Sequence, residues 1–135
     1  MAAQEHAKPQ AETAARIVTC RMQPASPFVI IGDMNDPPDS AALAPLVGAP
    51  ELGLYNALTN PVETRPAKHD EPPPPSPAWT HRYKEAGKPA RYELYDQIWL
   101  SPVLADKLDG TWIDRRTRHS GDGSDHDPAW IRLNL

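Results

Sequence analysis

The chain has 135 residues, a net charge of −4 and a pI of about 5.7. This length suits one modest domain, and we expect a single domain over residues 1–135. The acidic balance gives no global basic signal for nucleic acid, and no apolar run is long enough for a membrane span or a secretory signal. With only Cys20 as a thiol, an internal disulfide framework is excluded. We expect a soluble, cytoplasmic protein.

The first third of the chain predicts short elements separated by prolines. There are seventeen prolines, well over twice the usual share of about 5%. Residues 10–22 predict a helix, since its apolar residues follow one face: Ala11, Ala14, Ala15, Val18 and Met22. Residues 28–31 predict a short buried strand. Asp39 or Ser40 is placed to cap a short helix that continues to Val47.

Residues 59–78 predict a proline-rich loop that contains the sequence EPPPPSP. Four consecutive prolines favour polyproline II. A stiff surface loop is the simpler interpretation, and recognition by a proline-binding partner is the alternative. Two strands, over residues 79–83 and 92–100, are predicted to follow, joined by a turn with Gly87 and Pro89.

The last third predicts one more short helix and two more strands. Ser101 is predicted to cap a helix over residues 102–108 that begins with Pro102. Strands are predicted over residues 110–115 and 129–135. Alternation in the second strand puts four apolar residues on one face: Ala129, Ile131, Leu133 and Leu135. Helices mixed with strands in this way predict the α/β or α+β class.

Asp33 and Asn35 follow the first predicted strand within the sequence GDMND. Side chains at the end of a strand often project into a crevice. Aspartate binds hard cations such as magnesium through oxygen, and asparagine donates to a phosphate oxygen or orients a water. The same residue types are common in turns, and on this stretch alone a turn is the better interpretation.

Two further segments carry chemically useful residues. Asp96 lies among apolar neighbours in YDQIWLSP, and a carboxylate there needs a partner. Asp125 and His126 are adjacent in GSDHDP, where His126 is suited to acid–base chemistry near neutral pH. An aspartate that accepts from an imidazole N–H fixes its tautomer, so Asp96 with His126 is a plausible pair. The simpler interpretations are an edge-strand aspartate and a polar loop, with Asp127 as a further carboxylate.

The three segments GDMND, YDQIWLSP and SDHDP occur in an order that resembles the endonuclease/exonuclease/phosphatase superfamily of metal-dependent phosphodiesterases. GDMND resembles its Gly-Asp-Phe-Asn box, with Met34 in place of Phe. YDQIWLSP resembles its Asp-containing strand that ends in Ser, and SDHDP resembles its closing Ser-Asp-His box. The stretch WTHRY lies where members often carry a Thr-Tyr or Thr-Trp segment.

The resemblance implies a role for each matching position. Asp33 and Asn35 would bind phosphate or the attacking water, with Asp33 near a Mg²⁺ or Mn²⁺ ion. Asp96 would orient His126, and Asp125 would be a metal ligand. His126 would be the general base or would stabilise the transferring phosphoryl group. The implied activity is divalent-metal-dependent hydrolysis of a phosphoester, whether in nucleic acid, lipid or a small molecule.

The resemblance covers only the C-terminal half of the family fold, which is a four-layer sandwich of two mostly antiparallel sheets with helices outside. The family's first half supplies an early Asn and a metal-binding Glu. Here no Asn precedes Asn35, and Glu5 and Glu12 follow no predicted strand. We therefore expect half of a site, little hydrolysis by the isolated chain, and an exposed apolar sheet face. Such a face predicts a homo-oligomer or a separate N-terminal half as partner.

Two other interpretations stay open. One is a non-catalytic module that keeps half of the fold and binds a partner. The other is a zinc site made of His81, His119 and His126 with Cys20, although their spacing matches no compact zinc motif. Local basic residues would suit a nucleic-acid substrate, but a solvated surface offset by nearby acids is the better interpretation; they are Lys84, Lys88, Arg91, Arg115, Arg116 and Arg118.

Overall fold

The computed structural model describes residues 2–23, 25–64, 74–116 and 124–135. In chain order the elements are α1 (Ala2–Arg21), β1 (Val29–Asp33), α2 (Ala44–Val47), β2 (Tyr55–Asn56), β3 (Val62–Glu63), β4 (His81–Tyr83), β5 (Arg91–Glu93), β6 (Asp96–Leu100), α3 (Pro102–Ala105), β7 (Leu108–Ile113) and β8 (Ala129–Leu133). No helix within these ranges is long and apolar enough to cross a membrane. Residues 65–73 of the proline-rich segment lie outside the described residues.

The described strands form three sheets, with strand orders β1-β6-β2, β3-β7-β8 and β4-β5. Every pairing is antiparallel except the parallel pairing of β3 with β7. The predicted mixture of helices with mostly antiparallel strands is therefore confirmed as the α+β class.

Two apolar clusters pack on opposite faces of the β1-β6-β2 sheet. On one face, Ile98 and Leu100 of β6 share a cluster with Ile113 of β7 and with the inward residues of β8. On the other face, Ile30 of β1 packs against a cluster built from α1 and α2 that includes Leu46. The sheet thus lies between a helical layer and the β3-β7-β8 sheet, and burial of both clusters holds the layers together.

Strand β1 is half-exposed, so the prediction of a buried strand is wrong. Ile31 is 68% exposed and Val29 is 40% exposed. Among the described residues β1 pairs only with β6, which makes it an edge strand. A short apolar run does not distinguish an edge strand from a central one, because that depends on which segments pair. Val29 and Ile31 are therefore exposed apolar residues along this edge.

The predicted strand over residues 92–100 is two strands with different partners. Strand β5 pairs with β4 in a hairpin, whereas β6 pairs with β1 and β2. The break falls at Leu94 and Tyr95. The Leu94 carbonyl accepts from the Gln97 side chain at 2.9 Å, and the Tyr95 carbonyl accepts from the Met34 N–H at 2.8 Å. The backbone therefore changes its partner from β4 to β1 across these two residues.

Helix α1 begins at Ala2 rather than at residue 10 and contains Pro9. Proline has a φ that suits a helix, so its presence costs mainly one hydrogen bond and some steric strain. The predicted apolar face is confirmed at Ala11, which is buried, and at Ala14 and Val18, which pack against the α2 cluster.

Ser101 precedes α3 as predicted, but its hydroxyl does not cap that helix. Instead, the Phe28 N–H donates to Ser101 Oγ at 3.0 Å. The Ser101 N–H in turn donates to the Phe28 carbonyl at 3.0 Å. Ser101 therefore fixes the start of β1 against the end of β6. In the last strand the predicted alternation is confirmed for Ala129, Ile131 and Leu133, whereas Leu135 is exposed beyond the strand.

A single buried guanidinium, that of Arg115, links four parts of the chain. Arg115 Nε donates to Glu63 Oε1 at 2.9 Å, and Nη1 donates to Asp127 Oδ2 at 2.8 Å. Nη1 also donates to the Trp79 carbonyl, and Nη2 donates to the Pro77 carbonyl, both at 2.8 Å. The guanidinium lies 3.5 Å from the centre of the Trp79 ring. These contacts hold the segment before β4 and the segment before β8 against β3 and β7.

We predict that Arg115→Met destabilises the fold by about 3–5 kcal/mol, because it leaves the buried Asp127 carboxylate without its cation. The measurement is urea unfolding followed by circular dichroism. Arg132→Met is the matched control, since Arg132 pairs with Asp109 on the surface at 2.7 Å, and it is expected to cost no more than about 1 kcal/mol. Equal decreases in the free energy of unfolding for the two variants would show that the buried Arg115 network contributes no more stability than a surface ion pair.

Candidate active site

Asp33 and Asp96 are directly opposite each other in the antiparallel pairing of β1 with β6. Directly opposed residues share one face of a sheet, with Cβ atoms about 4.5–5.5 Å apart. Like charges in such a pair are destabilising. The register therefore brings together two carboxylates from separate sequence motifs at a cost in stability.

His126 completes this group from the segment that precedes β8. Its Nδ1 lies 2.5 Å from Asp96 Oδ2, and its Nε2 lies 3.9 Å from Asp33 Oδ2. With Nδ1–H donating to Asp96, Nε2 is left facing Asp33. One donor atom from each of the three side chains lies within 4.8 Å of the other two, so the group could hold a metal ion.

The charges around His126 favour its protonated form. Partial burial of the ring lowers its pKa, but the hydrogen bond and negative charge of Asp96 raise it. The charges of Asp33 and Asp125 add to that effect, and the net pKa of His126 is raised above its ordinary value. His126 therefore relieves the repulsion between the two opposed carboxylates.

Asp125, the predicted metal ligand, faces His81 as well as His126. Its Oδ2 lies 3.3 Å from His81 Nε2, and its Oδ1 lies 3.7 Å from His126 Nε2. Burial raises the pKa of Asp125. Its own backbone N–H and the hydrogen bond from His81 together outweigh that effect, so the net pKa is lowered. Asp33 and Asp125 both lie within 4 Å of His126 Nε2, yet they belong to two different three-residue groups.

Asn35 lies in the turn after β1 with φ of +53°, a left-handed conformation that asparagine adopts more readily than most residues. Its N–H donates to Asp33 Oδ1 at 3.0 Å. Ordinary turn chemistry thus orients the Asp33 carboxylate. Asn35 lines an adjoining cleft of about 630 Å³ between β1 and α1, rather than the cleft that contains His126.

Thr80 supports the site through hydrogen bonds to the backbone of neighbouring segments. The sequence alone does not predict this role. Thr80 is fully buried. Its Oγ1 accepts from the Asp96 N–H at 3.0 Å, and its carbonyl accepts from the Asp127 N–H at 2.7 Å. One residue therefore fixes the backbone on both sides of the Asp96–His126 pair. The signal in the sequence was the threonine of WTHRY, whose partners only the fold reveals.

A cleft of about 300 Å³ opens over the Asp33–Asp96–His126 group. Its walls include Ile31 and Ile98, so polar and apolar side chains meet there. Asp127, considered as a further carboxylate, is buried in its ion pair with Arg115.

Four of the five described basic residues pair with carboxylates, whereas Lys84 Nζ donates to the Lys88 carbonyl. Arg115 is buried, and Arg116 pairs with Asp114 at 2.5 Å. Lys88 pairs with Glu85, and Arg91 lies 3.7 Å from Glu93. Lys88, Arg91 and Arg116 thus fit the interpretation of a solvated surface offset by nearby acids. For Arg115 that interpretation is wrong, because its side chain is internal. Arg118 and His119 lie outside the described residues.

Comparisons of the chain with protein-family models, with curated proteins and with solved structures find no match. A functional assignment must therefore rest on the motifs and on the geometry of the cleft.

We predict that His126 titrates above the ordinary histidine pKa of about 6.5 and that Asp96→Asn lowers this pKa. The measurement is an NMR pH titration of the imidazole in the presence of a chelator. Because the folded pKa is raised, the His126–Asp96 pair stabilises the fold fully below pH ~6.5 and loses this effect as pH rises through the folded value. Asp109→Asn is the control, and an unchanged His126 pKa in Asp96→Asn would contradict the pairing.

Proposed function

We propose that the chain carries part of a divalent-metal-dependent phosphoester hydrolase site of the endonuclease/exonuclease/phosphatase type. The observation that carries the proposal is the direct opposition of Asp33 and Asp96 with His126 between them. Those residues come from the three sequence segments on which the resemblance rests. Random polar turns have no reason to converge in one cleft, whereas a phosphoryl-transfer site requires it.

Magnesium or manganese fits the donor set of the cleft. Asp33 lines the cleft and would supply a carboxylate oxygen, the ligand type that hard divalent cations prefer. Asp125 lies outside the cleft lining, 3.7 Å from His126 Nε2, and would supply a second one from there. A cation would also relieve the repulsion between Asp33 and Asp96 that the sheet register creates. When bound, the ion would stabilise negative charge on the phosphoryl oxygens.

His126 fits the role of phosphoryl stabiliser better than that of general base. Its raised pKa widens the pH range in which the ring is protonated, and a protonated ring donates a hydrogen bond rather than accepting a proton. Asp96 holds Nδ1 and so directs Nε2 toward the cleft. The imidazolium would therefore donate from Nε2 to an oxygen of the transferring phosphoryl group.

We further propose that the helical layer and the two packed sheets correspond to half of a four-layer sandwich. The exposed Val29 and Ile31 of β1 support this proposal. They lie on the same face of the sheet as the buried Ile98 and Leu100 of β6, so a further layer could cover them. Little hydrolysis is expected of the isolated chain, because a second set of ligands would come from the opposite half.

The proposal predicts that the chain binds Mg²⁺ or Mn²⁺ and that Asp33→Asn and Asp125→Ala weaken this binding, as measured by calorimetry. Any metal-dependent hydrolysis of bis(p-nitrophenyl) phosphate should fall by about 10²–10⁴-fold in His126→Ala, through loss of a proton donor. Asp109→Asn, at an exposed ion pair on β7, is the matched control. A wild-type chain without divalent-cation binding and without chelator-sensitive hydrolysis would overturn the proposal.

The second candidate is a non-catalytic module that binds another copy of itself through β1. This is favoured by the exposed Val29 and Ile31 on an edge strand, a combination that promotes pairing of strands between chains. We predict a dimer by size-exclusion chromatography with light scattering, and a monomer for Ile31→Lys. Val103→Lys, at an exposed residue of α3, should leave the dimer intact. A wild-type monomer at high concentration would exclude this candidate.

A further inference from the structure

His81 and His126 stand side by side because a backbone bridge joins them. The two residues form an isolated antiparallel β-bridge, and their ring centroids are 4.9 Å apart. Residues opposed in this way project their side chains to the same side. The His81 ring also stacks on Tyr95, with centroids 5.2 Å apart and an interplanar angle of 21°. Backbone pairing and stacking therefore hold two imidazoles together.

The Asp125 carboxylate lies between these imidazoles, with one oxygen 3.3 Å from His81 Nε2 and the other 3.7 Å from His126 Nε2. In a tetrahedral zinc site with bonds of about 2.0–2.1 Å, neighbouring ligand atoms lie about 3.3–3.4 Å apart. The carboxylate is thus near this spacing from each imidazole, and one ligand atom from each of the three side chains lies within 4.8 Å of the other two. The Asp125 side chain is 74% exposed, so an ion and its remaining water have access.

The ring nitrogens that face Asp125 are the ones suited to bind metal. His126 Nδ1 is held by Asp96, which is the usual arrangement for a metal-ligating histidine and leaves Nε2 as the donor. His81 Nδ1 is buried and has no hydrogen-bond partner within the described ranges. His81 Nε2 is therefore the nitrogen through which that ring can reach a ligand.

We propose that His81, Asp125 and His126 form a binding site for a transition-metal ion such as Zn²⁺. Two imidazoles with one carboxylate suit zinc, whereas magnesium prefers oxygen ligands in an octahedral arrangement. The ligand set differs from the zinc set considered from the sequence. Cys20 lies exposed on α1, and within the described residues it belongs to neither candidate metal group.

The site has a regulatory consequence because it shares His126 with the Asp33–Asp96 group. An ion held at His126 Nε2 occupies the nitrogen that would otherwise face the phosphoryl group. Zinc would therefore inhibit hydrolysis. This consequence rests on the proposed function, whereas the binding of zinc does not.

The test is Zn²⁺ calorimetry on the full chain, with the visible absorption of bound Co²⁺ as a second probe. One ion per chain is expected. Loss of a second-shell partner typically costs about 10–100-fold in affinity, and that is the expected effect of Asp96→Asn. Loss of a direct ligand in His81→Ala or Asp125→Asn should cost about 100-fold or more. Cys20→Ser and Asp39→Asn, the latter at an exposed carboxylate, should bind Zn²⁺ as the wild type does.

Wild-type affinity in both His81→Ala and Asp125→Asn would overturn the site, and so would absence of Zn²⁺ binding by the wild type. Should His81→Ala fail to fold, Asp125→Asn decides the matter because its side chain is exposed. Zinc binding that depends on these ligands in a chain without any hydrolysis supports the site and removes only its inhibitory consequence. The failure of this inference and that of the proposed function are thereby distinguishable.

Discussion

The buried guanidinium of Arg115 is the interaction on which the rest of the structure depends. A buried cation requires full pairing, and Arg115 obtains it from Glu63, from Asp127 and from two backbone carbonyls. These partners come from β3, from the segment before β4 and from the segment before β8. Because Asp127 is fixed in this way, its neighbour His126 is held at the rim of the cleft. The candidate site thus inherits its geometry from an ion pair that takes no part in its chemistry.

The site itself combines several locally unfavourable features. The carboxylates of Asp33 and Asp96 oppose each other across β1 and β6. Asn35, two residues after Asp33, has a left-handed backbone conformation. Such features persist where the surroundings over-determine them. Here Thr80 holds the Asp96 backbone, and the five-residue register of β1 with β6 fixes Asp33. The surrounding α+β packing therefore holds the Asp33 and Asp96 carboxylates close together despite their mutual repulsion.

His126 is where two groups of ligands meet. It pairs with Asp96 through Nδ1, and its Nε2 lies within 4 Å of both Asp33 and Asp125. A hard cation would favour the carboxylate side of this ring, whereas a softer ion would favour the side that includes His81. If both proposed sites exist, the identity of the bound ion would decide which of the two proposed roles His126 takes.

The sequence by itself determined the class of the fold, the apolar faces of α1 and β8, and the residues that gather in the cleft. These follow from periodicity and from residue types at short spacing. Only the tertiary structure decided that β1 is an edge strand, that residues 92–100 divide between two sheets, and that Ser101 binds Phe28 instead of capping α3. It also decided that Arg115 is internal and that His81 stands beside His126. Each of these depends on a partner distant in sequence, such as Glu63 for Arg115, and periodicity carries no record of which distant residue a side chain will meet.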